Sequence, residues 1–184
     1  MSLKVKSNGI NFNVPTIENL PTERLEEDLV CVVTDENRGG VFVYREANAL
    51  VNNGGTIFNG WTRQYDGAVN VDWFGAYPDG THPTETLLAI QNTINYAYPL
   101  YKSVEGHKTY LINGIITIPY YRTEPAVGLD FTTINVTLNK VVYEGTTGVA
   151  IHSSSPTTGV YIKYLLGAGG DNNTVGMYVY GDVS

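Results

Sequence analysis

Cysteine is almost missing from this chain: Cys31, inside the apolar run LVCVV, is the only one. A lone thiol excludes an internal disulfide. Among aliphatic neighbours it reads as a small core side chain, with no base beside it to make it a nucleophile. Charge is also scarce, with 16% charged residues and 11 Lys and Arg against 18 Asp and Glu. The net charge of −7 divides as −3 over residues 1–68 and −4 over 69–184. Neither half carries the clustered basic residues that phosphate binding needs, so nucleic acid is excluded as a partner. No run approaches the roughly 18 apolar residues of a membrane span, so no membrane partner is expected. The opening MSLKVKSNGINFNV lacks an apolar core of signal-peptide length, and a soluble protein that uses no secretion signal is expected. A Walker A lysine pattern and zinc-type Cys/His spacing are both lacking, so neither metal nor cofactor is expected.

What the chain does have is 42% apolar content, 20 Gly, 14 Tyr and many Val, Ile and Thr, a composition that favours strands and turns. Residues 1–25 are polar and turn-rich and read as an extended arm without a core of its own. Short strands follow at LVCVV (29–33), GVFVYR (40–45), GTIFNGW (55–61) and WTRQY (61–65). DENRGG and VNNGG lie between them and supply the Asn and Gly that tight turns need. Residues 26–66 are therefore expected to be a small β-hairpin domain. In VNVDWFGAYPDG (69–80), Val69, Val71 and Trp73 read as one face of a strand, with Trp73 and Phe74 as core anchors.

The period then changes. In THPTETLLAIQNTINYAYP, Leu87, Ile90, Ile94 and Ala97 form one helical stripe, widened by Leu88 and Tyr98. Pro83 and Glu85 suit the first turn and Pro99 the stop, which gives a helix over about 84–98. Strand patterns return at GIITIP (114–119), TINVTL (133–138), KVVYEG (140–145), GVAIHSS (148–154), GVYIKYLL (159–166) and VGMYVYGDV (175–183). Steps of roughly 15 to 25 residues between them suit the coils of a β-solenoid, with a β-sandwich as the alternative.

Several elements in fixed order resemble the N-terminal part of bacteriophage tailspikes and pectate-lyase-like proteins. They are Gly39, Gly40, Phe42 and Tyr44; Asn53 to Thr56; Trp61 and Arg63; Val71, Trp73, Phe74, Gly75 and Ala76; Asp79 and Gly80; and Ala89, Ile90 and Gln91. The likeness covers about residues 36–98 and departs at THPTET, where the family has Thr-Asp-Asp-Thr. The resemblance implies a mainly β chain: a virion-attachment hairpin domain, then residues 67–184 as the first coils of a right-handed parallel β-helix. It further implies a homotrimer on the virion tail, other tail or baseplate proteins as partners, and a bacterial surface polysaccharide as target. Trp61, Arg63, Trp73, Phe74, Gly75, Asp79 and Gly80 would form the structural junction, and Leu87, Ile90 and Ile94 the core of a helix that caps the coil.

Chemistry is harder to find. Glycoside hydrolysis usually needs two carboxyl groups roughly 5 to 10 Å apart. Glu124 and Asp130 are the best pair and read as solvated loop residues. Glu105 and His107 in SVEGHK could couple as acid and base, but as a loop they have little apolar wall around them. His152 reads as a coil-edge residue, His82 as a helix-start residue, and GAGGDNN (167–173) as a turn rather than a calcium repeat. Six tyrosines between 96 and 121 suit core, interface or sugar stacking. No catalytic residue is assigned. The reading is a structural attachment and trimer-organising segment. The alternatives are a capsular polysaccharide depolymerase, with its groove in or beyond this segment, and a bacterial pectate-lyase-like enzyme.

Overall fold

The computed structural model describes residues 12–23, 25–118, 134–144, 149–153, 158–167 and 176–179. The chain divides into two compact units, Met1–Asp66 and Gly67–Ser184.

The first unit is a five-stranded sheet in the order β1-β2-β3-β5-β4, built from β1 (Phe12–Val14), β2 (Val30–Val33), β3 (Gly40–Tyr44), β4 (Ile57–Phe58) and β5 (Trp61–Arg63). The β2–β3, β3–β5 and β5–β4 pairs are antiparallel. Alternation sends Cys31, Val33, Phe42, Tyr44, Phe58 and Trp61 to one buried face. Edge-to-face ring pairs, Phe42 with Phe58 at 5.9 Å and Tyr44 with Trp61 at 5.7 Å, fill that face. Residues 12–20 do not stand apart as an arm. β1 pairs parallel with β2, and Ile17 and Leu20, presented by a 3-10 turn over Ile17–Asn19, complete the same core. Residues 1–11 lie outside the described residues.

The second unit pairs its strands in parallel. One sheet has the order β11-β9-β7-β6, from β6 (Val69–Asn70), β7 (Val104–Ile112), β9 (Ile134–Tyr143) and β11 (Thr158–Gly167). The other has the order β12-β10-β8, from β8 (Ile116–Ile118), β10 (Val149–Ser153) and β12 (Gly176–Val179). Consecutive strands from β7 onward fall alternately in the two sheets and advance by one position at each return. Val104, Val136 and Val160 stack in register, as do Ile116, Ile151 and Met177. The step from Val136 to Val160 fits the expected spacing. The step from Val104 to Val136 is longer than that spacing.

Two local expectations are corrected. The strand over 69–73 ends at Asn70, and Val71–Phe74 is a 3-10 turn. The Asn70 side chain accepts from the Asp72 N–H at 2.8 Å, which coils the backbone, and Gly75 at φ 91° ends the turn. Val71 and Asp72 are therefore the buried residues, while Trp73 and Phe74 are only half-buried. Within SVEGHK, Val104 to Lys108 are not a loop but the first part of β7.

The helix α1 runs Pro83–Ala97, with Pro83 in its first turn, and passes into a 3-10 turn over Tyr98–Leu100. Its buried face is Thr86, Ala89, Ile90, Thr93, Ile94 and Ala97, and it packs against β7, β8 and the 71–74 turn. Leu87 is half-buried, and Leu88 stands 60% exposed instead of widening the apolar face. Among the described residues no helix is long and apolar enough to cross a membrane.

Candidate functional site

In the first unit the most unusual side chain is Arg63. It is 4% exposed, and its guanidinium donates to the carbonyls of Gly39 at 2.6 Å, Arg38 at 2.7 Å and Gly55 at 3.3 Å. It also lies over the Phe42 ring, 4.6 Å from the centroid. Burial, then the charge of Arg38, pushes it down to about 10, so it stays charged near neutrality. Arg63 thus ties two turns to one strand. The second of those turns is shaped by Asn53, whose side-chain oxygen accepts from the N–H groups of Gly55, Thr56 and Ile57.

Beside this framework the first unit holds a cavity of about 560 Å³. Leu20, Pro21, Tyr44, Phe58 and Trp61 supply apolar lining, while Arg38 and Glu18 pair across 3.5 Å. The Trp61 indole N–H donates to the Pro21 carbonyl at 2.8 Å, fixing the ring. With Trp61 1% exposed, the cavity offers no open indole face for sugar stacking. Thr22, Asn52 and Asn59 add polar groups to its lining.

The second unit buries a carboxylate. Asp72, 4% exposed, accepts from the Tyr110 hydroxyl at 2.7 Å and faces the Lys108 ammonium at 3.6 Å. Burial, then the hydrogen bond to Asp72, raises the Tyr110 phenol far above its ordinary range, so it cannot serve as a base. The cluster sits at a bulge, where β7 carries an extra residue against β9 between Gly106 and Thr109. Gly106 has to be glycine here: a Cβ would meet Tyr110, Val71 and Leu138 side chains at 2.8 to 2.9 Å. Asp72, Tyr110 and Lys108 therefore hold a backbone irregularity in place.

On the outer side of the same strand, His107 Nε2 lies 3.4 Å from Glu105 Oε1, with side chains 66% and 35% exposed. This is the acid/base couple considered from the sequence, moved from a loop to a strand and still open to water.

The other expected residues are placed as follows. Trp61 and Arg63 lie on β5, inside the first unit's core. In the second unit Phe74 packs on Tyr96 with ring centroids 5.5 Å apart. Asp79 and Gly80 form an exposed turn, where the Thr81 hydroxyl and N–H donate to Asp79 and lower its carboxyl. His82, at φ 51° before the helix, stacks on Tyr77 with centroids 4.1 Å apart. Ile90 and Ile94 are buried on α1. His152 falls on β10. Glu124, Asp130, Tyr120, Tyr121 and most of GAGGDNN lie outside the described residues. Among the described residues no group of three or more His, Cys, Asp or Glu side chains could hold a metal ion. Sequence reasoning missed the Asp72–Tyr110–Lys108 cluster. Its one signal, a single Asp within an apolar stretch, was read as part of a strand.

No family model and no curated protein is similar to the chain. Among solved structures, the fold defined above is that of phage tailspike proteins. The Acinetobacter phage vB_ApiP_P1 tailspike protein is similar over 88% of this chain and 30% of its own, with TM-score 0.65 and 17% identity. Full-length tailspike protein 2 from the Escherichia coli O157:H7 bacteriophage CAB120 is similar over 92% of this chain and 23% of its own, with TM-score 0.59 and 18% identity. The enzymatically active domain of bacteriophage CBA120 tailspike protein 2 gives 92%, 26%, 0.56 and 19% for the same quantities. The chain spans less than a third of the length of each, and at these identities the likeness is one of fold.

Proposed function

We propose that the chain is the N-terminal structural segment of a phage tailspike, with the first unit attaching the spike to the virion and residues 67–184 beginning a right-handed parallel β-helix. One observation carries this reading. A compact hairpin unit is followed by a helix-flanked start of two parallel strand stacks, and solved tailspikes share the fold over 88% or more of the chain. The alternation of strands between the two sheets is what a β-helix requires. Residues 69–80 make the junction, with Trp61 and Arg63 before it and Trp73, Phe74, Gly75, Asp79 and Gly80 within it. Leu87, Ile90 and Ile94 cap the coil. In this reading the cavity beside Trp61 receives a side chain of a tail or baseplate protein, and the assembled spike is a homotrimer that meets a bacterial surface polysaccharide.

Light scattering on the full chain tests the assembly: three times the 20.1 kDa chain mass supports the trimer, and a clean monomer counts against it. A second reading, a polysaccharide depolymerase, is favoured by the likeness to the enzymatically active domain of bacteriophage CBA120 tailspike protein 2. Incubation with bacterial capsule separates the two. New reducing ends or unsaturated sugars released by these 184 residues alone would replace the structural reading with the enzymatic one.

A further inference from the structure

Asparagine followed by glycine is a chemically labile pair, because glycine lacks the Cβ that would keep its backbone nitrogen away from the asparagine side chain. The chain has four such pairs, and Asn53–Gly54, Asn59–Gly60 and Asn113–Gly114 fall among the described residues. The fold treats these differently. Asn53 is locked at every group. Its side-chain oxygen accepts from the N–H groups of Gly55, Thr56 and Ile57, and its amide donates to the Thr56 hydroxyl at 2.8 Å. The Gly54 nitrogen itself donates to Asn52 Oδ1 at 3.0 Å. Asn59 is exposed, but its backbone is held. Asn59 and Gly60 sit at φ 48° and 98° between the paired residues Phe58 and Trp61, and the Gly60 carbonyl accepts from the Arg45 N–H at 2.8 Å.

Asn113 is exposed too, in the bend between β7 and β8. Neither it nor Gly114 makes a backbone–backbone bond among the described residues. The tie on Asn113 is a side-chain bond, from Nδ2 to Thr84 Oγ1 at 2.7 Å. Glycine suits position 114, where a Cβ would sit 2.7 Å from Leu87 Cδ2. Contacts with α1 thus place the labile pair where the backbone is held least.

We propose that Asn113–Gly114 is a self-modification site of the folded protein. The Gly114 backbone nitrogen attacks Asn113 Cγ, the Cγ–Nδ2 bond breaks, and ammonia leaves with the proton of the Gly114 N–H. Water then opens the cyclic imide at one of its two carbonyls. The net change is asparagine and water to a carboxyl group and ammonia, with nothing oxidised or reduced. Opening at Cγ leaves an ordinary aspartate. Opening at the backbone carbonyl leaves an isoaspartate, which routes the main chain through Cβ and lengthens it by one carbon. The two products meet different surroundings. An aspartate carboxylate lies beside Thr84, whose hydroxyl turns from acceptor to donor, in the first turn of α1 where negative charge is favourable. An isoaspartate lengthens the bend between Ile112 and Ile116, both fully buried, and disturbs the step by which the chain leaves one sheet for the other.

The test holds the folded full-length protein at mildly alkaline pH and follows each asparagine by digestion and mass spectrometry, with fragmentation that separates aspartate from isoaspartate. A parallel incubation in urea gives the unfolded rates. In the folded protein Asn113 should convert at least roughly fivefold faster than Asn53 and Asn59, and in urea that lead should vanish. Asn53 or Asn59 converting as fast as Asn113 in the folded protein overturns the proposal. So does a lead that persists unchanged in urea, since it would then belong to the local sequence and not to the fold. Asn113→Asp checks the accepted product: its urea midpoint should match wild type, and a lowered midpoint overturns the part assigned to Thr84.

Discussion

The two units use strands in opposite ways. In the first, antiparallel neighbours are joined by turns such as Thr34–Gly39, where Asp35 accepts from the N–H groups of Asn37 and Arg38, and the turn that leads into β4 is set in the same way by Asn53, which accepts from three more. Its core is aromatic and is crossed by one buried guanidinium. In the second unit, paired strands are tens of residues apart, the core is a ladder of Val, Ile and Leu, and one buried carboxylate holds a bulge. A charge buried among carbonyls suits a unit whose turns must be tied together. A charge buried against a phenol suits one where a single strand must bend within a regular stack. Each unit carries one tryptophan, so the two indole N–H signals report them separately by NMR.

The largest expected effect is in the second unit. Ile90 is fully buried, and Ile90→Asp places an unpaired carboxylate there, costing more than about 4 kcal/mol. The Trp73 transition in urea should fall and light scattering should show aggregates, while the Trp61 signal stays native. A loss of both signals together would merge the two units into one cooperative body. Next comes the first unit: Arg63→Leu leaves three carbonyls without their donor and should cost about 3 kcal/mol, read at Trp61. A variant as stable as wild type would mean that the turns do not need tying.

Tyr110→Phe is smaller, about 1 to 2 kcal/mol, since Asp72 keeps Lys108. It also carries a pH signature. Because the folded state raises the Tyr110 phenol, that residue's contribution is fully present below the ordinary tyrosine range, near 10. It is lost as pH rises above that range toward the folded value. Wild type should therefore lose its advantage over Tyr110→Phe in alkali, as followed by urea midpoints at stepped pH. The least effect is at Asp79, whose carboxyl is lowered by the Thr81 hydroxyl. Its part in stability is present at neutral pH and lost as pH falls through the lowered value. Thr81→Val should move the Asp79 titration upward in an NMR pH series without unfolding the protein.

Much of the architecture is written in periodicity. The mainly β character, the hairpin strands and α1 follow from alternation, from turn residues and from the Ile90–Ile94 stripe. Other parts were hidden for local reasons. β7 begins Val-Glu-Gly-His-Lys, with outward polar residues and a bulge that breaks alternation, so it looks like a loop. The 71–74 turn looks like a strand until the Asn70 amide is seen holding the Asp72 N–H. Ile17 and Leu20 lie in a polar stretch, and only a 3-10 turn brings both inward. The Asp72–Tyr110 pair is separated by 38 residues, and no pattern along the chain announces it. Gln91 was noted only as part of an Ala-Ile-Gln string; its side chain bonds the backbone of Thr117, which is 26 positions away.

The in-register ladder of β7, β9 and β11 also has a consequence for the order of folding. Closing a long connection costs chain entropy before any contact repays it, and parallel pairings are slow for that reason. During synthesis β9 meets β7 before β11 is made, and β11 then adds to β9. α1 and the 69–80 segment emerge first during synthesis, so the surface that templates β7 is made before the strands that need it. Assembly by this route is directional, like a zipper started at its stop, and the slowest step should be the laying down of β7.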